Sequence, residues 1–133
     1  MMISKNLIRQ FRQDGAVLIK GLFNDWVDII KSGIDRNMSD PGPYAAENLK
    51  PSEPGRFFDD YCNWGRIPEF EKVILNSDVG QVSAELMGSR YAQFFHDHIL
   101  VKEPGTEKPT PWHQDAPYYF VGGEQNVSFW VPM

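Results

Sequence analysis

"FFHDHILVKEPGTEKPTPWHQDAPYYF", residues 94–120, is the stretch on which the fold and the chemistry of this chain turn. Its first nine residues suit an extended strand, in which residues i and i+2 point to one side. Phe94, His96, His98, Leu100 and Lys102 then share a face. "EPGTEKPT" reads as a loop, and His113 and Asp115 follow two apart, fenced by prolines and aromatic rings. On extended backbone that spacing presents an imidazole nitrogen and a carboxylate oxygen to one cation. Two such ligands plus a distant second histidine make the facial triad that holds non-haem Fe(II) and leaves positions open for a co-substrate and dioxygen. A His-x-Asp pair is also what an ordinary polar loop contains, so the surroundings decide between the two.

Downstream, "NVSFWVPM" (126–133) alternates in the same way, with Asn126, Ser128 and Trp130 on one side and Val127, Phe129 and Val131 on the other. Polar groups toward a wet cavity and aliphatics toward a packed layer is the sensible orientation of such a strand. Upstream the texture is helical. Ile3, Leu7, Ile8 and Phe11 form one stripe, ended by Asp14-Gly15. "AVLIKGLF" (16–23) reads as a short strand, and Asn24 or Asp25 suits the cap of a helix carrying Trp26, Ile29, Ile30 and Ile34 on one face. Residues 39–55 hold four prolines and two glycines, an irregular excursion of the kind that often serves as a lid, with Tyr44 within it. Pro68 suits the first turn of a further helix, Ser77-Asp78 the cap of another, and Gly88 its end. Helices feeding into a β layer predict an α+β fold, with 1–89 mainly helical support containing one early strand and 90–133 the start of the β core. The last strand candidate reaches Met133 without a turn, which leads us to expect a single, incomplete domain: the front part of a longer protein.

Bulk properties narrow the function. At 133 residues and 15.3 kDa there is one domain at most. A net charge of −5, with no basic run, argues against nucleic acid. Neither a signal peptide nor an uninterrupted apolar span is present, so no membrane partner is expected and a cytoplasmic location is. Cys62 is the single cysteine, which excludes an internal disulfide and a thiolate zinc cluster.

"HDHILVKEPGTEKPTPWHQDAPYYFVGGEQNVSFWVP" (96–132) resembles the phytanoyl-CoA dioxygenase family of Fe(II)/2-oxoglutarate oxygenases, and "FRQDGAVLIKGLF" (11–23) resembles that family's opening of Phe, Asp-Gly and an aliphatic strand. The resemblance implies N-terminal helices packed on a double-stranded β-helix, or jelly roll, here partial. It implies Fe(II) as cofactor, 2-oxoglutarate as co-substrate, dioxygen, and a small molecule or acyl derivative as the substrate hydroxylated. His113 and Asp115 would be iron ligands, Lys102 and Trp130 would contact 2-oxoglutarate along with His96, and His98 and Tyr118 would meet the substrate. Because Asp115 keeps the carboxylate that related halogenases replace by a small residue, hydroxylation is favoured over halogenation. The family's third ligand, a later histidine, and its arginine clamp for 2-oxoglutarate have no counterpart, since no histidine follows His113 and no arginine follows Arg90. Little turnover is therefore expected of residues 1–133 alone.

Two other readings stand beside this one. His96-x-His98 followed by Glu103 imitates a cupin-type metal signature, although Glu103 falls on the opposite strand face. Alternatively, the chain is a non-catalytic, degraded relative. Asp59-Asp60 with Asp97 is a further acid/base candidate, but exposed carboxylates are more often a solvated face.

Overall fold

The computed structural model describes residues 2–133. The described residues form four α-helices and one small antiparallel sheet. Helix α1 is Lys5–Asp14; the Ser4 hydroxyl caps it by accepting from the Leu7 N–H at 3.3 Å, and Gly15 ends it in a left-handed conformation at φ 73°. A 3-10 turn, Asn24–Trp26, leads into α2, Val27–Ser39. Asn24 and Asp25 lie in that turn rather than at the cap of α2 itself. Helix α3 is Pro68–Asn76 with Pro68 in its first turn, where a missing N–H costs nothing. Helix α4 is Val79–Met87, closed by Gly88 at φ 66°. Helix α2 packs on α3, α1 on α4, and α3 on α4. No helix among the described residues is long and apolar enough to cross a membrane.

The sheet has the order β1-β2-β3, from β1 (Ala46–Glu47), β2 (Phe57–Tyr61) and β3 (His98–Lys102). Strands β2 and β3 pair with Phe57 opposite Lys102, Asp59 opposite Leu100 and Tyr61 opposite His98 on one face. Phe58 and Asp60 lie on the other face with Val101 and Ile99, toward the helices. Phe58, Ile67 and Val82 are the largest fully buried apolar side chains. A second apolar cluster gathers Leu22, Val82 and Leu86, with Phe11, Val17, Ile19, Phe23, Val127 and Phe129 packed against it.

Three strand expectations are corrected. Residues 16–23 join no sheet; Val17 and Ile19 bury themselves against α4 residues instead, so an aliphatic run that looked like a strand serves as packing for a helix. The long extended candidate from Tyr91 contributes only its end, His98–Lys102, to a ladder. Residues 126–131 also join no ladder, yet they keep the alternation read from the sequence: Val127, Phe129 and Val131 are partly buried while Asn126, Ser128 and Trp130 are exposed. Conversely, β2 was not foreseen, and the 39–55 excursion is clasped rather than free. Its Gly42 N–H donates to Asp60 Oδ2 at 2.8 Å, its Asn48 N–H to the Phe57 carbonyl at 2.7 Å, and Lys108 Nζ to the Asn48 carbonyl at 2.7 Å.

The polar centre of the fold is Asp60, 0% exposed and without a cationic partner in its hydrogen-bond set. Asn37 Nδ2 of α2 and the Gly42 N–H each donate to Oδ2 at 2.8 Å, and the Tyr61 N–H donates to Oδ1 at 2.8 Å. Burial alone would raise this carboxyl, but those donors and a further hydrogen bond from Asn63 overturn it and hold the group below the usual aspartate value. Asn63 Oδ1 in turn accepts from Arg66 Nε at 3.1 Å and Nη2 at 2.9 Å.

Two expected outcomes follow from this packing. A methyl group at Gly33 of α2 would stand 2.5 Å from Phe70 Cε1. Helix propensity favours alanine by about 1 kcal/mol, whereas overpacking costs about 1–3 kcal/mol, and the Phe70 ring is too buried to yield. Gly33→Ala should therefore lower the urea midpoint, and a second change, Phe70→Leu, should recover part of the loss. Asp60→Asn sets an amide donor against backbone and side-chain donors and should cost about 2–3 kcal/mol in urea unfolding at neutral pH. Because the folded pKa of Asp60 is lowered, its stabilisation is present above about pH 4 and is lost as pH falls through the folded value; the variant should show a flatter stability curve there.

Candidate functional site

The outward face of β2–β3 carries the ionisable groups. His98 stacks on Tyr61 with ring centroids 3.9 Å apart, and its Nε2 lies 3.5 Å from Asp59 Oδ2. Asp59 is itself held, since Asn48 Nδ2 donates to its Oδ1 at 2.9 Å and the Tyr61 side chain hydrogen-bonds to it. Desolvation lowers the His98 pKa and the Asp59 charge only partly opposes this, so the pair is a neutral imidazole beside a carboxylate. His96 lies at the end of this face, 6.5 Å from the Tyr61 ring and edge-on to Tyr119 at 5.4 Å. Between the two histidines, Asp97 turns the other way. Its carboxylate accepts from the N–H groups of Asn63 (3.1 Å) and Trp64 (2.8 Å), and its carbonyl accepts from the Cys62 N–H at 3.0 Å. These bonds hold the turn in which Cys62 takes a positive φ of 59°. Asp60 and Asp97 are thus committed to backbone and amide donors, and the acid/base pair considered from sequence is not formed.

His113 and Asp115 meet. Nε2 of His113 lies 3.3 Å from Asp115 Oδ1, and the two side chains are 44% and 50% exposed. They do so from a bend ahead of a 3-10 turn, Ala116–Tyr118, and not from the extended strand expected. The remaining polar atom of each is occupied: His113 Nδ1 pairs with the Pro111 carbonyl at 2.8 Å, and the Tyr119 hydroxyl donates to Asp115 Oδ2 at 3.3 Å. Tyr118 places its ring edge-on to His113 at 6.2 Å. Metal–nitrogen and metal–oxygen bonds of about 2.1 Å put neighbouring ligand atoms about 3.0–3.4 Å apart between octahedral and tetrahedral angles, so the separation suits a shared cation. No third histidine, cysteine or carboxylate joins them, and no group of three such side chains among the described residues is placed to hold a metal. That includes His96, His98 and Glu103, whose cupin-type grouping does not assemble.

The family model described as phytanoyl-CoA dioxygenase (PhyH) matches residues 11–133. The chain belongs to the phytanoyl-CoA dioxygenase family. No curated protein and no solved structure matches it. Membership of this family points to a general Fe(II)/2-oxoglutarate-dependent oxygenase class.

Against the family pattern, two positions stand apart from the bend. Lys102 spreads its ammonium over the Phe57 ring at 4.4 Å and donates to the Lys108 carbonyl (3.1 Å) and Thr110 Oγ1 (2.9 Å). It thereby ties the approach to His113 onto the end of the sheet, with one of its three donors left over. Trp130 is 87% exposed on the outward side of the last segment. Asp59, weighed from sequence only as an acid/base candidate, and Tyr61 and Tyr119, not singled out, belong to this face and bend. The first two share a strand face at i and i+2 within "FFDDY", but consecutive aspartates mask that alternation; Tyr119 lay among several aromatic rings with nothing to single it out.

Because neutral His98 is favoured by folding, the stability it confers is complete above about pH 6.5 and is lost as pH falls through the lowered folded value. Proton NMR titration should place the His98 midpoint below that of an exposed histidine. Asp59→Asn should lower it further, since the carboxylate is what partly restores it; a rise would refute the assignment.

Proposed function

We propose that the polypeptide of which these residues are part is an Fe(II)/2-oxoglutarate-dependent dioxygenase that hydroxylates a small molecule or acyl derivative, with His113 and Asp115 as two of its iron ligands. The observation that supports this is the convergence of His113 Nε2 and Asp115 Oδ1 at 3.3 Å while Nδ1 is taken up by a backbone carbonyl. A ligating histidine commonly engages a carbonyl or carboxylate through its second nitrogen, which fixes ring and tautomer. When bound, Fe(II) and 2-oxoglutarate supply the oxidation, in which 2-oxoglutarate and dioxygen become succinate and carbon dioxide and one oxygen atom enters a substrate C–H bond. The chain's own part is to orient and to exclude water.

On this reading His96 and the spare Lys102 donor face the 2-oxoglutarate carboxylates, as does Trp130 once its segment is covered, while His98 and Tyr118 meet the substrate. The neutral, Asp59-oriented His98 offers a hydrogen bond of fixed polarity rather than a charge. A complete ferrous site requires a third ligand and a cationic clamp from outside residues 1–133, on the wall of a jelly roll that the three-stranded sheet would begin. The location would be cytoplasmic.

The test is succinate formation dependent on both Fe(II) and 2-oxoglutarate, measured on the polypeptide that carries the third ligand. It should fall to background in His113→Ala and in Asp115→Ala and be nearly absent from residues 1–133 alone. Full activity in both variants would overturn the assignment of His113 and Asp115 as ligands.

A further inference from the structure

Asp115 has a short side chain whose carboxylate rotates freely unless something holds its second oxygen. Here that oxygen is held. The Tyr119 hydroxyl donates to Asp115 Oδ2 at 3.3 Å, on the side away from the His113 contact of Oδ1. Nor is Tyr119 itself free to swing. Its ring stands edge-on to Phe95 at 5.9 Å and to His96 at 5.4 Å, and its backbone is fixed by the 3-10 turn, where the Tyr119 N–H donates to the Ala116 carbonyl at 3.2 Å and the Tyr118 N–H to the Asp115 carbonyl at 2.9 Å. A phenol has one proton. That proton is the one given to Asp115 Oδ2. Two separated stretches, at 95–96 and 115–119, therefore fix the phenol that holds the carboxylate oxygen.

We propose that Tyr119 is a positioning residue that holds the Asp115 carboxylate with Oδ1 turned toward His113 Nε2. This rests on the ferrous assignment made above and deepens it. A carboxylate free to turn would have to be fixed in that orientation on binding, at a cost in affinity. With Oδ2 engaged by the phenol, only Oδ1 faces the cation side shared with His113 Nε2. Partners that orient ligating side chains typically contribute 10–100-fold in metal affinity, which sets the size of the expected effect.

The experiment uses Mn(II) as the probe and residues 1–133 as they stand, following paramagnetic broadening of the His113 ring resonances during titration. Wild-type chain should broaden at His113, and the effect should disappear when Asp115→Ala is titrated. Tyr119→Phe keeps the ring contacts and should keep the thermal midpoint, but it should need about tenfold more Mn(II) for half-broadening. Unchanged half-broadening in Tyr119→Phe, with wild type responding, overturns this inference and leaves the ferrous assignment standing. Loss of the thermal midpoint in Tyr119→Phe overturns it too, since the hydroxyl would then support the fold. A wild type that shows no Asp115-dependent broadening overturns both.

Discussion

The pairing register of Phe57–Tyr61 with His98–Lys102 is the constraint on which the rest depends. Side chains on a strand alternate strictly, so a slip of β2 by one residue would send Asp59 and Tyr61 into the helical layer and bring Phe58 and Asp60 out. Both ends are pinned against such a slip. At one end Asp97 gathers the N–H groups of Cys62, Asn63 and Trp64. At the other, Thr106 Oγ1 exchanges hydrogen bonds with the Arg56 backbone, accepting from its N–H at 3.1 Å and donating to its carbonyl at 2.8 Å, while the Glu103 N–H donates to the same carbonyl at 2.9 Å. A Cβ at Gly55 would lie 2.5 Å from Thr106 N, so this closure also requires glycine at its corner.

Two adjacent aspartates show what that register accomplishes. Asp60 points inward and would be a severe liability as a bare buried charge. It is held ionised by neutral donors drawn from α2, from the clasped excursion and from its own strand, so one carboxylate joins three parts of the chain. Asp59 points outward, keeps its charge close to water, and spends its acceptors on Asn48, Tyr61 and His98. One is a fastener and the other an orienting group. They differ by a single step along the strand.

How far the sequence reveals this depends on whether the signal is local. Caps, helix stripes and stop glycines are local, and α1, α3 and α4 lie where Gly15, Pro68 and Gly88 place them. Ladder partners are not local. Residues 16–23 and 126–131 have strand-like composition, yet what they pack against is the Leu22–Val82–Leu86 cluster, and composition alone cannot tell a strand's neighbour from a helix's. Strand β2 hid for the opposite reason: its paired aspartates look like surface until Asn37 and Gly42 come to meet one of them. The His113–Asp115 proximity was legible from spacing, but the geometry behind it was not. A bend, a proline carbonyl and a tyrosine four residues on bring the side chains together where an extended strand had been expected.

The bend is ordered without being buried, and that sets what remains for the chemistry. Pro109 and Pro111 restrict the backbone leading into His113, Lys102 fastens that approach to the sheet through Lys108 and Thr110, and Pro111 and Tyr119 then fix the outer atoms of the two side chains. On the assignment proposed above, much of the entropy of bringing these two side chains together is thus spent in folding rather than on metal binding. Exposure works against the other requirement. With both side chains near half exposed and Trp112, Phe120 and Trp130 between 87% and 104% exposed, water has free access to any cation held there, and a strong oxidant in such a place would be quenched before it met a C–H bond. On the function proposed here, covering those rings and completing the coordination are both required of the working site.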